Sequence, residues 1–116
     1  MRHTIIAAVS VVLVAIYSAF TFFYIGGFTK EMETQISLAQ NDVVTLQTGE
    51  KIEEIYQNKR AVLLFLMNRE HISEVEQNII RLKNAAMYNN TESAQKYLTL
   101  LKSSIEEIKQ QNNNIF

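Results

Sequence analysis

Residues 5–25, IIAAVSVVLVAIYSAFTFFYI, carry no charged side chain, and this run limits the chain more than any other feature. As a helix, its 21 residues reach about 31 Å, the thickness of a bilayer's hydrocarbon core. Twelve of them are Ile, Val, Leu or Phe. Together they favour insertion by about 4 to 7 kcal/mol at most, because residues near the ends count for less. Phe20, Phe22, Phe23 and Tyr24 gather at the far end, where aromatic rings suit the headgroup boundary. Two readings compete with a transmembrane helix. One is a signal peptide cut near Ile25-Gly26-Gly27, although such apolar regions ordinarily hold about 7 to 15 residues. The other is a buried core helix. Arg2 precedes the run, whereas Lys30 after it is followed at once by Glu31 and Glu33. The positive-inside rule therefore predicts a cytoplasmic N-terminus and an extracytoplasmic remainder at the cell membrane, in a single pass.

The rest of the chain excludes several functions. Residues 28–116 hold all 12 acidic and 10 of the 11 basic residues, a net −2 with the signs interspersed. Without a basic stripe, nucleic-acid binding is not expected. Cysteine is absent, which removes thiol catalysis, thiolate metal sites and disulfides. With no proline and three glycines, the chain reads as helical almost throughout.

Four segments after the run show heptad-like apolar spacing. They predict helices near 30–47, 51–69, 73–88 and 92–111. The seams are Met32, Ile36, Ala39, Val43 and Leu46; Ile52, Ile55, Lys59, Val62 and Leu66; Ile72, Val75, Ile79, Leu82 and Ala86; and Ala94, Leu98, Leu101, Ile105 and Ile108. Gly26-Gly27 permits a change of direction, Thr48-Gly49 breaks the first segment, and Thr91 is the expected N-cap of the last. Lone helices with such narrow seams are marginal in water, so they must pack together. The predicted fold is all-α: residues 1–27 as flank and span, then an antiparallel bundle over 28–116. It has four helices, or three if the chain breaks early near Asn41-Asp42.

Within the second segment, Val62 to Met67 is apolar on every side. Either this helix is central, or Leu64 and Phe65 form a partner surface. Lys59 is expected to snorkel or to pair with a glutamate. His71 is one of only two histidines. Glu-x-x-His motifs on two helices can build metal sites in bundles, but here the order is reversed, His71-x-x-Glu74, and no second extramembrane histidine exists. Ser73-x-x-Glu76 reads as a capping box. His71, Ser73 and Glu76 are therefore expected at the joint between the second and third helices, with no metal, cofactor or catalytic role. Tyr88 and Tyr97 are expected to be packing residues.

The layout of an N-terminal span, NREHISEVEQNIIRL and the ending SSIEEIKQQNNNIF resembles a family of short single-span bacterial membrane proteins of unknown function, found mainly in Gram-positive spore formers. His71, Ile79 and Asn114-Ile115-Phe116 match its layout. Where that family usually carries a tryptophan in the second extramembrane helix, this chain has Tyr56. The resemblance implies no enzyme activity and no cofactor, and it hints at a membrane-protein partner. The expected function is a non-enzymatic, membrane-anchored binding or scaffolding module. Its expected partners are the lipid bilayer and either another membrane or envelope protein or a second copy. The alternative is an extracytoplasmic bundle that senses a small ligand or metal and signals through a partner. A third is a metal-dependent enzyme around His71.

Overall fold

The apolar run and the first bundle seam lie on one unbroken helix. In the structure, a computed structural model describing residues 1–40 and 45–114, α1 extends from Arg2–Gln40 and is followed by α2 (Leu46–Leu66), α3 (Arg69–Met87) and α4 (Thr91–Asn114). No strand occurs among the described residues. α1 packs on α2 and α4, and α3 packs on the same two, so the helices form an antiparallel ring of four. The molecule measures 67 × 21 × 19 Å because α1 projects from one end of this ring.

The Gly26-Gly27 pair does not turn the chain. Ile25, Phe28, Met32, Ile36 and Ala39 are all buried on one stripe of α1, and a bend between the first two would pull that stripe apart. The Thr29 hydroxyl also donates to the Gly26 carbonyl at 3.1 Å. The Asn112 amide donates to the Phe22 carbonyl at 3.1 Å and ties the end of α4 to α1. Thr21 is buried as well, so the bundle begins seven residues before the predicted boundary at Phe28. Uncharged run and bundle seam overlap.

The first break falls earlier than Thr48-Gly49. Thr45 caps α2, its side chain accepting from the Thr48 amide at 3.3 Å. Val43 and the Asn41-Asp42 alternative lie outside the described residues, as do Ile115 and Phe116. Gly49 is buried inside α2, where a Cβ would stand 3.4 Å from Lys83 Cα. It is a point of close helix approach, not a left-handed terminator. That approach fixes the rotation of α2. Its buried stripe is Gly49, Ile52, Tyr56 and Leu63, whereas Ile55, Val62 and Leu66 are only half-buried. A helix apolar on several sides admits more than one stripe, and the neighbour's closeness selected this one.

The seams of α3 and α4 are buried at all ten expected positions. Asn89, at φ 55, takes the left-handed position after α3. Its N–H reaches the Ala86 carbonyl at 3.1 Å, and that of Asn90 reaches Ala85 at 2.9 Å, a Schellman ending. Asn90 then accepts from the Ser93 amide at 3.1 Å and caps α4, in place of Thr91.

The joint between α2 and α3 also differs from the expected capping box. Asn68 is the N-cap, accepting from the Glu70 amide at 3.2 Å, and α3 starts at Arg69. Ser73 lies exposed within the helix, one turn in. The earlier start lets Ile72 enter the core on the helical stripe it shares with Val75 and Ile79, which a start at Ser73 would not. His71 sits in the first helical turn instead of on a connecting turn.

Candidate functional site

α3 and α4 run antiparallel, and their shared outer edge carries a row of polar and aromatic groups. On α3 the edge positions are His71, Glu74, Asn78, Arg81 and Tyr88; on α4 they are Ser93, Tyr97, Leu100, Ser104 and Glu107. Both series advance in steps of three and four, apart from one step of seven between Arg81 and Tyr88, which keeps them on one helical stripe.

At the end of this edge nearest the projecting part of α1, one ligand atom each from His71, Glu74 and Glu107 lies within 4.8 Å of the others. His71 is half-buried and the two glutamates are exposed. Beneath them Asn78, 6% exposed, donates to Ser104 Oγ at 3.1 Å. The single Ser104 proton has two acceptors in reach, Glu74 Oε1 at 3.2 Å and the Leu100 carbonyl at 3.1 Å. The buried amide and hydroxyl thus hold Glu74 in place. An imidazole and two carboxylates suit a divalent transition ion such as zinc or manganese, which would clamp α3 to α4. Sequence reading found the His71-x-x-Glu74 pair but not Glu107. No local pattern links residues that antiparallel pairing brings together.

Further along the edge, Arg81, Tyr88, Ser93 and Tyr97 line an open groove of about 310 Å³. Tyr97 packs against the core, with Lys96 Nζ 5.8 Å from its ring centre. Tyr88 is 79% exposed at the cap of α3 and is not a packing residue.

The other edges are held by ion pairs. Lys59 pairs with Glu31 at 3.1 Å and lies 5.6 Å above the Tyr24 ring. Lys83 meets Glu53 at 3.1 Å, and Lys109 meets Glu33 at 3.4 Å. Pairs this accessible contribute about 0 to 1 kcal/mol each, so they orient the helices more than they stabilise them. The hydroxyl of the fully buried Tyr56 donates to Glu76 Oε2 at 3.3 Å, so Glu76 acts across helices instead of capping Ser73. Burial pushes the Tyr56 hydroxyl above its ordinary value of 10.0, and the Glu76 charge adds to this against the opposing pull of Arg60.

Leu64 leans against the core from its half-buried position, whereas Phe65 is 77% exposed. Neither lies on a central helix, since a ring of four has none. Phe65 instead meets Tyr17 on the projecting part of α1 edge to face, with ring centres 6.5 Å apart. α1 is long and apolar enough to cross a membrane, and only 6% of its apolar window is buried by the protein. The core-helix reading of that run is therefore overturned.

No family model matches the chain, and neither a curated protein nor a solved structure is similar to it.

Proposed function

We propose that this protein is a non-enzymatic, membrane-anchored binding module. Its bundle engages another membrane or envelope protein, or a second copy of itself, along the α3–α4 edge. The observation that carries this reading is the row of exposed Glu74, Glu107, Leu100 and Tyr88 with half-buried His71 and Tyr97 along one seam. The apolar window of α1, almost wholly uncovered by protein, supports the anchor. Arg2 ahead of the span supports a cytoplasmic N-terminus and an extracytoplasmic bundle. Membership of the spore-former family is part of the same proposal. A photo-crosslinking side chain in place of Leu100, 41% exposed, tests the edge in intact cells. A discrete adduct of higher mass is expected. Recovery of uncrosslinked monomer alone at native expression overturns the reading.

The second reading is a divalent-cation sensor, favoured by the His71, Glu74 and Glu107 geometry. The continuity of α1 from span to bundle gives such a sensor a rigid path to the membrane. Thermal unfolding with added zinc or manganese separates the two readings. Stabilisation that His71→Ala removes favours the sensor, and no change favours the binding module.

A further inference from the structure

We propose that the corner between α2 and α3 is a second membrane contact. Phe65 sits among the lipid acyl chains beside Tyr17, and Asn68 and Arg69 lie in the headgroup layer. The proposal rests on the reading of α1 as a membrane span.

Tyr17 lies eight residues before the end of the uncharged run at Ile25, about 12 Å along the helix axis. With the Thr21–Ile25 end of the run in the headgroup layer, Tyr17 still lies among the acyl chains, and the ring contact brings Phe65 to the same depth. Phe65 is the most exposed large apolar side chain of α2. In water that exposure is unfavourable; against lipid it is not. Ile16, Tyr17 and Phe20 on α1 are each about half exposed or more, so Phe65 extends an apolar surface that already faces the bilayer.

The polar atoms one turn higher set the other limit. Thr21, Asn68 and Asn112 line a cavity of about 140 Å³ with Leu66, Met67 and Ile108. Thr21 Oγ1 and Asn112 Oδ1 are buried there without a hydrogen-bond partner among the described residues. Hydrocarbon cannot supply one, but water or a headgroup can. The acyl boundary thus passes between the Tyr17–Phe65 level and the Thr21–Asn112 level. Arg69, exposed and four residues beyond Phe65, suits the phosphates of the layer above.

The chain has no tryptophan, so single Phe65→Trp, Val12→Trp and Tyr88→Trp variants each report one position. The full chain is reconstituted in phosphatidylcholine vesicles whose acyl chains are brominated either near the headgroup or near the methyl end. Phe65→Trp is expected to emit at shorter wavelength than Tyr88→Trp, at the distal tip. Shallow bromines should quench it more than deep ones, and Val12→Trp should show the reverse preference. If Val12→Trp is quenched and Phe65→Trp is no more quenched than Tyr88→Trp, the second contact is overturned and the anchor stands. A blue-shifted but unquenched Phe65→Trp means a protein surface covers the corner, which also overturns it. If neither Val12→Trp nor Phe65→Trp is quenched, anchor and corner fall together.

Discussion

The two halves of α1 share one backbone and differ in how much of it the bundle covers. From Ile5 to Phe20 the large side chains stand about half or more exposed around the whole circumference. From Thr21 to Ala39 burial is confined to Thr21, Ile25, Phe28, Thr29, Met32, Ile36 and Ala39, a single face. Helix propensity does not separate these halves, since both are helical. The distribution of apolar groups does: all round in the first, on one stripe in the second. Ile25 and Thr21 belong to both patterns, which is why no hinge separates the apolar run from the bundle.

Substitutions on either side of that overlap should break the two halves independently. Phe28→Ala, at a position with no exposure, should destabilise the bundle by about 3 to 5 kcal/mol in urea unfolding. Phe23→Ala, at 73% exposure, should change bundle stability by less than about 0.5 kcal/mol. Equal losses would mean that the stripe does not end where the structure ends it. Val12→Arg should do the opposite of Phe28→Ala. It weakens membrane partition by roughly 2.5 to 3.5 kcal/mol and leaves bundle melting unchanged, as read by membrane fractionation and circular dichroism.

Smaller effects sharpen the account of the bundle half. Asn68→Ala should cost about 1 kcal/mol as a lost N-cap, while Ser73→Ala should move stability by less than about 0.5 kcal/mol. The reverse ranking would restore the capping box at Ser73 and Glu76. At neutral pH, Tyr56→Phe should cost about 1 kcal/mol through the lost Glu76 hydrogen bond. In the fold the Tyr56 hydroxyl holds its proton beyond the ordinary pH of 10.0, whereas the unfolded chain does not. Its contribution is therefore complete below that pH and drains away as pH rises through the folded value. Unfolding curves of Tyr56→Phe should fall less steeply than those of the parent above pH 10.0.

The sequence by itself determined the all-helical class and the apolar stripes of α3 and α4, which depend on side chains within one helix. The uncharged run at 5–25 predicted a helix long and apolar enough to cross a membrane, and the bundle leaves almost all of its apolar window uncovered. The seams of α3 and α4 were readable in full because each alternates cleanly with polar residues. Tertiary structure decided the rest. It placed the buried stripe of α2 on Tyr56 and Leu63, moved the start of α3 to Arg69, carried the bundle down to Thr21, brought Glu107 to His71 and Glu74, and set Phe65 against Tyr17. Periodicity fixes which face of a helix is apolar. It does not fix the rotation and axial offset between helices distant in sequence, and those two quantities decide which side chains meet.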